Sequence, residues 1–406
     1  MALLQSYSIY AKQYHPLAKL WDEDDTEVPG LLKNERNLIS IDEILRPILE
    51  KDDFISSFGG TYINIFYNCV VVNTVNKSKE NDLLNLTQIK PYKDFLCFRR
   101  ADNSMSQIQH NFNEISLLAN RLRPKKLFIY TDMKVNNNVL LIFNESVNNS
   151  EFINAIKPFN PTIIYHKGQE NPPVSQNLAQ SRRDVDSYDL EVRVLGGDGL
   201  LNVNTDSQCS VGFWAKSINR EAFSIVTAGH CYASGDWSYY PWGSTNSSGI
   251  LIGPMIFSLK DYYDFGIIPL EYGKVAPTFS IRNDDADQYK ELIITGDAPV
   301  SSHNVHICKS GYTTHLTCGH VLGLNGIAPG LGDTEEFILY DLIIADFDSL
   351  FGDSGGSSFS FVSPQDLYSV VVNGIFSVIG AAIQPIDIIF KELDKRNIYY
   401  KLYIGQ

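Results

Sequence analysis

Gly352-Asp353-Ser354-Gly355-Gly356 sets a serine on a glycine-built turn in the C-terminal part of a 406-residue chain. Upstream, Thr227-Ala228-Gly229-His230-Cys231 holds a histidine between small residues and a cysteine. Covalent acyl transfer needs a hydroxyl nucleophile, a base that takes its proton, and a third group that orients the base. The glycines around Ser354 let the backbone bend sharply and leave the N–H groups of Gly352 and Ser354 free to bind a developing oxyanion. Either pentapeptide alone carries little weight. Together, and in this order, they point to a hydrolytic site.

The third member is sought in Asp261-Tyr262-Tyr263-Asp264-Phe265-Gly266-Ile267-Ile268-Pro269. An acid directly before a short apolar strand suits a buried carboxylate that fixes the tautomer of His230. Asp264 fits better than Asp261, which precedes two tyrosines and lies further from the apolar run. The chain order His, Asp, Ser is one of the known arrangements of such a triad.

On these residues the stretch from about Glu191 to Gln406 resembles a chymotrypsin-fold serine protease. Within that fold it is most similar to the secreted bacterial alpha-lytic protease and streptogrisin group. Cys209-Ser210-Val211-Gly212-Phe213 is similar to that group's opening strand. Ile307-Cys308-Lys309-Ser310-Gly311-Tyr312-Thr313-Thr314 through Cys318-Gly319 is similar to its central hairpin. The resemblance implies an all-β double β-barrel with a C-terminal helix and the triad in the cleft between the barrels. Many short β-branched and aromatic runs, separated by Gly, Asn, Ser and Pro, agree with an all-β reading of this part.

Composition excludes other classes. The net charge is −14, so nucleic acid is not an expected partner and a basic membrane anchor is absent. No segment is long and apolar enough for a membrane-spanning helix. The resemblance implies a secreted, extracellular, monomeric enzyme, although Met1-Ala2-Leu3-Leu4-Gln5 lacks the charged start and long apolar core of a signal peptide.

Six cysteines suit an oxidising compartment. The resemblance pairs Cys209 with Cys231 and Cys308 with Cys318, which leaves Cys69 and Cys97 free to pair with each other. One family disulfide is missing, since its first cysteine falls at Asp348. His303, His306, Cys308, His315, Cys318 and His320 are also dense enough to raise a zinc site. Their spacing matches no standard finger, and an extended hairpin points alternate residues to opposite faces. The reading therefore calls for no metal and no organic cofactor.

Residues 1–167 read as an α+β unit. A hairpin is expected from Phe58-Gly59-Gly60 onward through Val70-Val71-Val72-Asn73, and a helix over Ile108 to Leu122. Strands are expected over Lys126 to Tyr130, Val139 to Phe143 and Thr162 to His166, with a short helix over Phe152 to Ile156. Residues 168–190, with Pro172-Pro173 and Arg182-Arg183, read as a linker holding a processing site, and 191–406 as the protease domain. The first unit resembles, more weakly, the pro-region of the same bacterial group. That resemblance implies a folding catalyst and inhibitor whose C-terminal tail lies in the active-site cleft. An unrelated α+β binding module is the alternative.

Arg193-Val194-Leu195-Gly196-Gly197 looks like an activation site whose new amine would pair with Asp353. In the bacterial group a basic side chain after the hairpin cysteine makes that pairing, and Lys309 stands there, so the pair expected is Lys309 with Asp353. For the substrate pocket, Asp348 stands where trypsin-like enzymes place a basal acid, beside Ser349. Ser377-Val378-Ile379 matches the pocket wall, with Ile379 where a glycine would leave the pocket open. The reading leans to small or medium apolar side chains over basic ones. Ser377 is expected to support Asp264. Ile386 to Tyr403 spaces Ile388, Ile389, Leu393 and Ile398 like a packing helix.

The sequence thus reads as a serine endopeptidase made as a zymogen, acting on protein or peptide substrates through His230, Asp264 and Ser354. The alternatives are a catalytically silent homologue that binds proteins and a protease that cuts only its own linker.

Overall fold

The helix Val28–Leu49 has proline in its first turn and buries Val28, Leu32, Glu35, Leu38, Asp42, Leu45 and Leu49. Steps of three and four keep these positions on one face. Two of the seven are acids, so one apolar stripe carries two carboxylates. The computed structural model describes residues 15–144, 146–166, 191–244, 248–283, 290–330, 337–378 and 380–405.

Antiparallel strands Phe58–Asn64 and Cys69–Thr74 lie against this helix, with Leu96–Arg100 parallel to the second of them. The Cys69–Cys97 disulfide joins these last two strands. The helix Met105–Leu122 starts at a Ser104 cap and precedes strands Leu127–Asp132, Asn137–Ile142 and Thr162–Tyr165. The expected linker, 168–190, lies outside the described residues, as does any tail it would place in the cleft.

Among the described residues from Val192 onward, the elements are strands apart from the turn Gly229–Cys231 and the helix Ile386–Asp394. Six of these strands close into a ring. His306–Gly311 pairs with His315–Pro329, which pairs with Ile338–Ala345. Ala382–Pro385 links that strand to Ser369–Val378. Ser357–Phe361 then returns to His306–Gly311. Glu291–Asp297, Val275–Arg282 and Val192–Gly196 extend the sheet of this ring, and the other described strands of this part form a sheet of five, which includes Tyr400–Leu402, and a sheet of four. Trp214, Trp237, Ile225, Ile252 and Ile268 pack in a core among these strands.

The N-terminal half is joined to this body in two ways. Leu127–Asp132 adds to the edge of His315–Pro329, with Ile129 opposite Ile327. Leu17, Trp21, Leu32 and Leu45 also belong to the same apolar cluster as Ile307, Phe359, Phe361 and Val372.

The C-terminal helix is shorter than the sequence pattern suggests. It runs from Ile386 to Asp394. Asn397 takes a left-handed conformation, φ 60°, which ends it. Tyr400–Leu402 instead pairs as a strand with Phe213–Ser217. Ile398 packs on the core from the intervening turn. Among the described residues no helix is long and apolar enough to cross a membrane.

Candidate active site

The strand Phe223–Thr227 is buried at four of its five positions and leads straight into the turn Gly229–Cys231. That turn presents His230 at the surface, its side chain one-third exposed. The Cys209–Cys231 disulfide ties the turn to the strand Gln208–Ser210 of the four-stranded sheet. Asp264 lies just before the strand Phe265–Pro269, which pairs with Phe223–Thr227. Adjacent strands thus bring the acid and the histidine together.

Asp264 is buried. It accepts from the His230 backbone N–H through Oδ1 at 2.8 Å and meets His230 Nδ1 through Oδ2 at 2.7 Å. Ser377 Oγ donates to the same Oδ2 at 2.6 Å. Burial raises the carboxyl pKa, but the charge of His230 and the hydrogen bonds from His230 and Ser377 outweigh it, leaving Asp264 below its ordinary value. It is therefore an anion that fixes a proton on His230 Nδ1 and leaves Nε2 as the basic atom.

The Ser354 turn packs directly on the histidine strand. Gly355 has φ +85°, and a Cβ there would lie 1.9 Å from Thr227 Oγ1 and 2.8 Å from the Ala228 nitrogen. Ser210 clamps the turn from below. Its N–H donates to the Ser354 carbonyl at 2.7 Å and its Oγ to the Gly352 carbonyl at 2.7 Å. Thr227 Oγ1 donates in turn to the Ser210 carbonyl at 2.8 Å. Gly352 has φ +97°, a conformation that only glycine adopts without strain. Among the described residues the N–H groups of Gly352 and Ser354 donate to no acceptor, whereas Asp353 N–H between them turns back to the Leu350 carbonyl. Two unsatisfied donors with one residue between them are what the binding of an oxyanion requires. The Ser354 hydroxyl makes no hydrogen bond among the described residues. In enzymes without substrate the nucleophile–base contact is often loose and tightens in the complex.

Asp353 is wholly buried. It accepts from the N–H groups of Thr313 and Thr314 at 2.9 Å each, from Thr314 Oγ1 at 2.6 Å and from Leu350 N–H at 3.0 Å. Lys309 Nζ lies 3.4 Å away, also buried, and donates to Thr314 Oγ1 and the His315 carbonyl. Arg193 is elsewhere, in a two-pronged pair with Glu291. The Arg193–Val194 bond lies inside the strand Val192–Gly196, and Trp214 Nε1 and Thr278 Oγ1 both donate to the Val194 carbonyl.

The pocket residues are less gathered. Asp348 is exposed. Its backbone carbonyl accepts from Thr317 Oγ1 at 2.8 Å, while its carboxylate makes no hydrogen bond among the described residues. A carboxylate this exposed is solvated, which weakens its pull on a cationic side chain. Ser349 and Val378 are half-buried, and Ile379 lies outside the described residues. Cys308 and Cys318 are joined to each other. The raised zinc cluster therefore offers no thiolate, and among the described residues no group of metal-ligating side chains converges.

Two contributors were not visible in the sequence. Gln384 Oε1 accepts the Asp264 backbone N–H at 3.0 Å, and Ser210 forms the clamp. Both are neutral and distant along the chain, and only the register of strands brings them in.

No family model and no curated protein sequence matches the chain. It is similar to the solved structure of Thermobifida fusca protease A, with 20% identity and TM-score 0.40 over 53% of this chain and 100% of that one. It is similar to a Nocardiopsis protease, with 19% identity and TM-score 0.40 over 52% of this chain and 100% of the other. It is also similar to a glutamic acid specific serine protease, with 26% identity and TM-score 0.39 over the same shares.

Proposed function

We propose that this chain is a chymotrypsin-fold serine endopeptidase made as a zymogen and secreted. The observation that carries this reading is the buried Asp264 carboxylate on His230 Nδ1, beside a glycine turn that holds Ser354 and two unsatisfied N–H groups. In this reading Ser354 Oγ attacks the scissile carbonyl of a protein substrate, and His230 Nε2 takes the proton. The carbonyl oxygen, now negative, meets the N–H groups of Gly352 and Ser354. His230 then gives the proton to the leaving amine, and water repeats the cycle on the acyl-enzyme. Asp264 stays ionised and stabilises the charged imidazole, and Ser377 and Gln384 position Asp264.

The Lys309–Asp353 pair favours an oxyanion loop ordered before any cut is made. Cleavage within 168–190 would then free the cleft rather than build it. The continuous core between the two halves favours a second feature, that residues 1–167 stay bound after such a cut.

The test is intact mass over time at neutral pH, for the wild type beside Ser354→Ala. Splitting of the wild type alone, between residues 168 and 194, supports the self-processing protease. If a serine-reactive probe fails to label the wild type after trypsin has cut the linker, the chain is a silent homologue.

A further inference from the structure

Where the N-terminal half meets the catalytic half, five ionisable side chains lie buried together. His15, Glu35 and Asp42 come from the first half and His303 and His306 from the second. His15 and His306 each offer one ring nitrogen to a backbone N–H. His15 Nδ1 accepts from Leu17 N–H at 3.1 Å, and Nε2 donates to the Leu367 carbonyl across the junction at 3.2 Å. His306 Nε2 accepts from Phe361 N–H at 2.9 Å, while Nδ1 donates to Glu35, which also accepts His306 N–H at 2.8 Å. His303 Nδ1 donates to the Leu322 carbonyl at 3.0 Å. Its ring lines a cavity walled from the first half by the apolar Met105, Ile108 and Phe112 and by the polar Gln109, Asn113 and Thr131. A second proton on His15 would face the Leu17 N–H donor, and one on His303 would put a charge on a buried ring near the Arg46 cation.

Further charged groups lie along the junction, among them Lys134, which donates to Asn304. Asp25 accepts the His15 backbone N–H at 2.8 Å. Asp42 lies 3.2 Å from Arg46 Nε and accepts from Ser302 Oγ at 2.7 Å and Thr61 Oγ1 at 2.5 Å. Glu43 accepts from Ser301 Oγ at 2.9 Å.

We propose that this cluster is an acid-operated clasp, which holds the two halves together at neutral pH and releases the N-terminal half as the pH falls below about 6. It rests on the reading of residues 1–167 as a separable pro-region.

The sign follows from burial. His15 and His303 are pushed down to about 4 in the joined state, mainly by desolvation. Once separated they return towards an ordinary value of about 6.5. Between those values the separated halves bind protons that the joined halves refuse, so acid drives separation. Asp42 works against this, because burial raises its pKa in the joined state. Two imidazoles opposed by one carboxyl give a dissociation constant that rises roughly 10- to 100-fold per pH unit.

The experiment uses the full chain carrying Ser354→Ala, so that the result does not depend on catalysis. Brief trypsin treatment cuts at Arg182 or Arg183, and intact mass confirms two products. Native mass spectrometry and size exclusion then follow the halves from pH 8 to 4.5, with Trp21 fluorescence as a local reporter, since its ring lies 6.0 Å from that of His306. The expected result is co-elution at pH 7.5 and the stated slope below about 6.5, with circular dichroism of the products still native. His15→Gln with His303→Gln should cut the slope to under about threefold per unit. Halves that separate already at pH 7.5, stay joined at pH 4.5, or unfold in the same step would overturn the clasp. So would an unchanged slope in the double variant. If that variant does not fold, the wild-type slope decides alone, and a value below tenfold per unit overturns the proposal. Failure of the protease reading would appear in probe labelling and would leave these measurements untouched.

Discussion

Lys309 Nζ lies 3.4 Å from Asp353 Oδ2, and neither side chain reaches solvent. Removing one member of such a pair leaves a buried charge without its partner, at a cost of about 3–5 kcal/mol. Lys309→Met should lower stability by that amount in urea denaturation. It should also lower kcat more than it raises KM, because Asp353 shapes the turn that carries the Gly352 and Ser354 N–H groups.

Ser354→Ala removes the nucleophile without disturbing the backbone clamp from Ser210. Peptide hydrolysis should fall by about 10⁶-fold in kcat, with a melting temperature close to that of the wild type. A variant that still turned over peptides would sink the triad assignment.

Asp264→Asn keeps the shape but places an amide group opposite His230 Nδ1. The wrong tautomer follows, and kcat at neutral pH should fall by about 10⁴-fold. Stability carries a second signature. The Asp264 pKa is lowered on folding, so its contribution is present above the ordinary carboxyl value of about 3.9. That contribution fades as the pH falls through the folded value. Melting curves of wild type and variant should therefore converge in acid.

Gly352→Ala and Gly355→Ala should fail differently. At Gly352 a Cβ meets Thr313 Oγ1 at 2.3 Å, a side-chain atom at a half-exposed turn. The protein should fold, with kcat down by about 10²–10³-fold as the oxyanion donors shift. At Gly355 the Cβ meets the Ser210 carbonyl and the Ala228 nitrogen as well as Thr227 Oγ1. Backbone cannot move aside, so this variant should lose cooperative thermal unfolding.

Replacing Cys209 and Cys231 together with serine should cost about 3 kcal/mol, the loop-closure effect for a separation of this length. Activity should fall more than stability suggests, because Cys231 anchors the turn beside His230. Paired denaturation and kinetic measurements would separate the two effects.

What the sequence revealed was local chemistry with strong residue requirements. A serine between glycines, a histidine beside a cysteine and an acid before an apolar strand are legible because few other residues serve there. Ser210 and Gln384 were not legible, since a neutral side chain gains its role only from the register of distant strands. The setting of Asp348 was not legible, because a lone letter does not carry whether a carboxylate is buried or solvated. The helix Val28–Leu49 was blurred by Glu35 and Asp42, which interrupt its apolar stripe, and by Pro47 near its end. The last helix was overrun because Ile398 kept the helical spacing past the Asn397 stop.

Near its C-terminal end, at Ile327, the strand His315–Pro329 is covered on one edge by Leu127–Asp132. An uncovered strand edge is a template for pairing with other chains. Synthesis runs from the N-terminus, so the strand that covers the edge is made well before the edge exists. A ribosome never has to release an unguarded ring. The same domain produced alone would present its bare edge to every neighbouring copy, and self-association would compete with closure of the ring.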